Sequence, residues 1–308
     1  MGWIKIIIVL LLCSFFSGAE AKEKKNSAYQ NYTKGAELAS HKKYAESVER
    51  FEKSIEANPN FLASYIECAR SLVMLGKREQ AMKKLESAAK AIHRREELDK
   101  ISKERTLLAE LFYTNTTFQF YQNGLNSLRL ERSNVAQESL EKALALEPDN
   151  VAILLAYARV LQSEDNPKDG IKALEKALEM NPDKKETRVL LAETLLNSFT
   201  SRSLDLVKNM AKEKSAEEPE AIVYARALSL SEKNKQAIDF LQDKLDKNSN
   251  WVLGLFWLGR FYSQEPQGNW MARKYLMTFL KRVEIRPVPK ATKAEAEALL
   301  LRVNQALQ

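Results

Sequence analysis

The chain has 308 residues, of which 45% are hydrophobic and 29% charged, with only nine glycines and eight prolines. That balance excludes a disordered chain, and the scarcity of turn residues excludes a sandwich of many short strands in favour of long helices joined by short turns. Lys and Arg number 48 against 41 Asp and Glu, and the resulting +7 is too diffuse for nucleic acid but suits acidic proteins, anionic polymers or a membrane surface.

The chain opens with MGWIKIIIVLLLCSFFSGAEA: one lysine, an apolar run from Ile6 to Phe16, then small residues ending in Ala19-Glu20-Ala21. This order predicts a signal peptide over 1–21, cleaved after Ala21, and hence an exported, periplasmic or secreted protein. The apolar run is about half of the ~20 residues a membrane span needs. A bulky Leu12 stands before Cys13, where lipidation wants a small residue, so lipoprotein and anchored forms are the alternatives. Cleavage leaves Cys68 as the one cysteine, and no intramolecular disulfide is expected.

From Ala28 onward the chain repeats itself. Small residues Gly35, Ala69, Gly124, Ala158, Ala192, Ala225 and Gly259 follow one another at gaps of 34, 55, 34, 34, 33 and 34. In six of the seven units a second small residue then precedes a large apolar one by four places: Ser47 and Phe51, Ala81 and Leu85, Ala136 and Leu140, Gly170 and Leu174, Ala237 and Leu241, Ala272 and Leu276. Two antiparallel helices approach closely only where one offers no more than a methyl group and the other fills the gap. Prolines at Pro59, Pro148 and Pro182 close units, because proline ends a helix and redirects the chain. The pattern weakens in three places. The unit from Lys185 reads Leu204 and Lys208 at the small and large positions, with its proline delayed to Pro219. His93 stands where the second unit wants a proline, and the last unit takes an extra residue near 266–268. The additional 21 residues over 96–116 carry Leu98, Ile101, Leu108, Leu111 and Phe112 at helical spacing, which predicts a helix running on into the one that begins near Thr117. At the end of the chain, Ala296, Leu300, Val303 and Leu307 share one face of a helix over 290–308 that would cap the array.

These residues resemble the tetratricopeptide repeat family, whose 34-residue unit has a Gly/Ala-x-x-aromatic stretch, an Ala-x-x-x-Phe stretch and a late proline. The resemblance implies an all-α, right-handed α-solenoid of about seven helix pairs with a C-terminal capping helix. The units fall near 28–61, 62–95, 117–150, 151–184, 185–217, 218–251 and 252–287, interrupted by the insertion. It also implies that the first helix of each pair lines a concave groove that takes a protein or an extended peptide.

Catalysis is not expected. His41 and His93 sit at helix ends among charges, Cys68 adjoins the packing residue Ala69, and no metal, phosphate-loop or nucleophile motif is present, so no cofactor is expected either. Asn31 and Asn115 match the N-glycosylation sequon. Arginine stands immediately after the packing residue at Arg70, Arg159, Arg226 and Arg260, where the resemblance points it into the groove. Planar guanidinium forks suit the carboxylates of an acidic peptide, while Glu193 could instead pair with Arg159 or Arg226. Phe256 and Trp257 cannot share a helix face, so one packs and the other looks into the groove beside Arg260. Tyr32 would give the opposite end an aromatic lining. The expected function is an exported scaffold or adaptor in envelope assembly or secretion. The alternative is binding of a carbohydrate or cell-wall polymer, with Trp251, Trp257 and Trp270 stacking on sugars.

Overall fold

A computed structural model describes residues 23–163, 167–213 and 215–308; the expected signal segment lies outside them. Among the described residues every regular element is a helix, and none is long and apolar enough to cross a membrane. The chain divides into two compact units, one ending at Lys184 and the other spanning Lys185–Gln308.

In the first unit, α1 (23–40) pairs with α2 (Tyr44–Ala57) and α3 (Leu62–Met74) with α4 (Arg78–Ala91). After α5 (Arg95–Glu110), α6 (Asn115–Arg129) pairs with α7 (Ser133–Leu146) and α8 (Val151–Ser163) with α9 (Pro167–Met180). The packing residues behave as their spacing predicts: Ala69, Ala81, Leu85, Ala136, Leu140 and Leu174 are buried. A Cβ on Gly124 would lie 2.6 Å from Leu140, so α6 and α7 can be this close only with glycine there.

The turns between paired helices repeat as strictly as the cores. Lys42, Gly76, Glu131 and, in the second unit, Glu232 take left-handed φ angles of 61°, 72°, 57° and 62°. Each is followed by a backbone N–H that reaches back to the first helix, as Lys43 to Leu38, Lys77 to Leu72, Arg132 to Ser127 and Lys233 to Leu228. This arrangement satisfies carbonyls the helix end would leave open, and glycine is its usual occupant. Here three of the four residues carry side chains.

The insertion departs from expectation. Helix α5 stops at Glu110 and does not run on into α6, because Leu111 is extended and the extended Thr114 accepts the Thr117 N–H at 3.1 Å to start a new helix. Helix α5 packs on α3 and α4 and also on α8, so it bridges pairs that are not consecutive. Arg78 fixes this bridge. It is fully buried, and its guanidinium donates to the Leu108 and Leu111 carbonyls, to Glu147 at 2.9 Å and to Asp149, while stacking 4.2 Å from the Tyr113 ring centroid. Glu147 in turn accepts the Tyr113 N–H at 2.7 Å and the Asn150 amide at 3.1 Å. Asn150 then accepts the Ala152 N–H at 3.0 Å and so caps α8. At the other end of the bridge, Lys184 pairs with Glu110, and Asn181 donates to Thr106 at 3.1 Å. A buried charge survives only when paired and hydrogen-bonded, and each nitrogen of the Arg78 guanidinium has an acceptor here.

In the second unit, α10 (Lys185–Leu195) pairs with α11 (Thr200–Lys212), α12 (Glu218–Leu230) with α13 (Asn234–Lys247) and α14 (Val252–Tyr262) with α15 (Asn269–Val283); α16 (Lys290–Gln305) follows. The expected pair Leu204 and Lys208 is off by one residue. Ser203 and Val207 are fully buried, and the Ser203 hydroxyl donates to the Ala192 carbonyl at 2.6 Å, so serine fills the small position and helps hold α10 to α11. Pro219 does not end the preceding helix; it lies in the first turn of α12, where its missing N–H costs nothing, behind a capping box of Glu217 and Glu220. Helix α16 buries Ala296 and Val303 against α15, with Leu300 and Leu307 partly buried.

Candidate partner-binding face

The four expected arginines meet different surroundings. In the first unit, Arg70 on α3 is gripped by the insertion: its Nε and Nη2 donate to the two Glu104 oxygens of α5 at 2.6 and 2.9 Å, and Nη1 to Glu67 at 2.9 Å. Those hydrogen bonds raise its pKa further and make it part of the bridge. Arg159 on α8 is exposed. Tyr32 on α1 lies among Tyr29, Phe51 and Phe61, with centroids 6.5, 5.9 and 5.1 Å away, and is half-buried. It is an edge of the α1 to α2 packing more than an open lining.

The second unit brings its two arginines together. Arg226 on α12 lies 4.5 Å, and Arg260 on α14 5.0 Å, from the centroid of the Trp257 ring, so one indole is held by two guanidiniums. Arg226 donates to Glu193 of α10 at 2.9 Å and Arg260 to Glu295 of α16. The result is a charge-alternating row Glu193, Arg226, Trp257, Arg260, Glu295 drawn from α10, α12, α14 and α16. It follows from the repeat: Glu193, Arg226 and Arg260 each succeed the packing residue of their helix, and Trp257 stands three before Arg260 on the same helix face. Each guanidinium gives one N–H to its own glutamate, leaving others directed elsewhere. The Glu193 partner is therefore Arg226.

Phe256 is corrected. It is 1% exposed and packs on Phe279 at 5.6 Å, so it belongs to the core and cannot touch a partner. The structure gives the three tryptophans three environments: Trp251 is half-buried at the start of α14, Trp257 lies between the arginines, and Trp270 is 66% exposed on α15.

Cys68 is fully buried, and burial pushes its thiol up to about 12, far from a reactive thiolate. His41 and His93 are exposed, and among the described residues no cluster of His, Cys, Asp and Glu could hold a metal ion. The buried Arg78 is the residue sequence reasoning missed. An arginine opening a helix reads as surface charge, and the only clue was the acidic LEPDN turn that supplies Glu147 and Asp149.

No curated relative matches the chain. Solved structures resemble it at low identity. A chain in the crystal of the APC/C hetero-tetramer Cut9–Hcn1 aligns at 17% identity over 76% of this chain and 43% of its own length, with a TM-score of 0.43. This chain thus spans less than half of that one. A tetratricopeptide repeat protein from Parabacteroides merdae aligns at 14% identity over 90% of this chain and 99% of its own, with a TM-score of 0.48. YrrB, described as a tetratricopeptide repeat protein with an unusual peptide-binding site, aligns at 14% identity over 73% and 96%, with a TM-score of 0.29. Residues 151–184, the α8 to α9 pair with its closing turn, match the family described as Tetratricopeptide repeat, and this helix pair is the part of the chain whose sequence is similar to that family.

Proposed function

We propose that the chain is an exported, non-catalytic helical-repeat adaptor that binds an extended segment of a partner protein on the first-helix face of its Lys185–Gln308 unit, in envelope assembly or secretion. The observation that carries this reading is the Trp257 ring held between Arg226 and Arg260. Tryptophan and arginine dominate binding hot spots, because each combines a large apolar surface with directional donors. Packing against two guanidiniums also fixes the indole in advance, which lowers the entropy cost of binding. The flanking Glu193 and Glu295 hold the arginines in place. A partner carboxylate would exchange with them at little cost, since an exposed ion pair is worth about 0–1 kcal/mol. The segment this face fits carries an apolar side chain for the indole and at least one carboxylate for a guanidinium. Export rests on the segment up to Ala21 and its order of charge, apolar run and small residues.

The test uses a photo-crosslinking side chain placed beside Trp257 in the full chain, in its native envelope. A discrete protein adduct is expected, lost in Arg226→Glu with Arg260→Glu while helicity and melting stay unchanged, and weakened by rising ionic strength. Adducts that survive both the double charge reversal and high salt would refute the reading.

A further inference from the structure

The surface opposite that face holds a second feature. In six of the seven helix pairs, the second helix turns a polar, acid-containing stripe to solvent. The four outward positions are Ala45, Glu49, Glu52 and Glu56 on α2, and Glu79, Lys83, Glu86 and Lys90 on α4. The same places hold Glu138 and Glu141 on α7, Glu175 and Glu179 on α9, Asp205 on α11, and Asp239 and Asp246 on α13. On α15 they are Trp270, Lys274, Met277 and Lys281. The α15 core side is Ala272, Leu276, Phe279 and Val283, so this stripe points directly away from it. Trp270 is 66% exposed, Met277 51%, and Ile285 just beyond the helix 82%. Among the described residues Arg273, Lys274 and Lys281 form no ion pair, and Arg273 stacks 5.7 Å from the Trp270 ring. Helix α15 contains no acidic residue, and the stretch 269–293 carries seven basic side chains against the single Glu284.

We infer that the outer face of α15 docks the protein on an anionic phospholipid bilayer. The stripe is convex and follows a single helix, which suits a flat surface better than a groove. Indole prefers the boundary between headgroup and hydrocarbon, Met277 and Ile285 add apolar area at the same level, and the lysine stems reach outward to lipid phosphates. Basic residues close to an anionic surface each strengthen binding several-fold, and the effect decays within a Debye length. No described helix spans a membrane, so the contact is peripheral. This surface is independent of Arg226 and Arg260, and either assignment can fail without the other.

The test is co-sedimentation of the full chain with vesicles of phosphatidylcholine alone or with one-third phosphatidylglycerol. Retention is expected to be stronger on the anionic vesicles and to fall as salt rises. In Lys274→Glu with Lys281→Glu it should drop by roughly twenty-fold or more. Trp270→Ser with Met277→Ser should also weaken it, and quenching of fluorescence by brominated lipid should diminish in Trp270→Phe. Neutral vesicles should hold the lysine variants as they hold the parent, which separates any contribution of the N-terminal apolar run, and Arg226→Glu should bind as the parent does. If the charge reversal disturbs melting, Lys274→Gln with Lys281→Gln provides the same comparison. Equal anionic retention of parent and variants overturns the inference. So does unchanged vesicle binding accompanied by lost retention on polyglutamate or on cell-wall polymer, which would assign the stripe to an acidic protein or a polysaccharide.

Discussion

Arg70 in the first unit and Arg226 in the second occupy the same place in the repeat, one residue after the small residue that lets two helices touch. Their outcomes differ because of a neighbour. Helix α5 gives Arg70 a bidentate, mostly buried carboxylate in Glu104, whereas Arg226 has a half-exposed Glu193 on one side and an indole on the other. A repeat position therefore sets where a side chain points, and the element packed beside it decides whether that side chain holds the fold or faces a partner. The first unit ties Arg78 and Arg70 to several acceptors each, while Arg226 and Arg260 in the second each give one hydrogen bond to a single glutamate and otherwise lie against the Trp257 ring.

The sharpest way to break this contrast is Arg78→Leu. It leaves Glu147 and two carbonyls buried without their donor and should cost the first unit about 3–5 kcal/mol. In the chain cleaved after Ala21 the tryptophans are Trp251, Trp257 and Trp270, all in the second unit, so circular dichroism should show an early transition in urea that tryptophan fluorescence does not follow. Coincident early shifts in both signals would show that the two units unfold together. Next, Arg70→Gln should lower stability by about 1–3 kcal/mol, because Glu104 keeps its charge at a largely buried site. Arg226→Gln should cost under about 1 kcal/mol, and equal losses in chemical denaturation would erase the distinction between the two arginines. The turns predict a gain: Glu131→Gly and Glu232→Gly should each raise stability by up to about 1 kcal/mol, one per unit, by relieving left-handed backbone.

The smallest effect is a pH dependence in the second unit. Glu218 accepts the Gly254 N–H at 2.8 Å, and burial holds its carboxyl above the ordinary value of 4.5, although that bond, another from Leu253 and the charge of Arg286 pull the other way. Above 4.5 the native protein then keeps a proton that the unfolded chain has lost, and this group's contribution falls as pH rises through its native value. Glu218→Gln keeps the acceptor and removes the titration. Its melting temperature should match the parent at pH 4 and exceed it slightly at pH 7, and a parent more stable at pH 7 would reverse the sign.

Much of this was legible in the sequence. The small and large packing residues could be found by spacing alone, because close helix contact tolerates so few side chains at those points. The register of α11 was not, since Ser203 does the work of an alanine and a search for apolar residues passes over it. The break after Glu110 escaped for a related reason: the apolar periodicity continues through Leu111 and Phe112, and the stop comes from the Thr114 cap, a polar and local signal. Of the partner-binding candidates, residue spacing placed Arg226 and Arg260 at one repeat position, with either Phe256 or Trp257 beside Arg260. It could not tell Phe256 from Trp257, which needed the position of Phe279. Arg78 was hidden because its partners Glu147 and Asp149 lie about two repeats away in sequence, beyond the reach of any local pattern.

That distance shapes how the chain matures. An ordinary helix pair can close as soon as its own 34 residues are made, and each later pair adds to a finished edge. The bridge built on α5 works otherwise, because Arg78 waits for Glu147 and Glu110 waits for Lys184. Helices α3 to α5 emerge early and stay incomplete while roughly seventy further residues are synthesised, about 4 to 15 seconds at typical elongation rates. During that interval Arg78 and the apolar side of α5 are open, so this half completes its packing later than a run of ordinary helix pairs would.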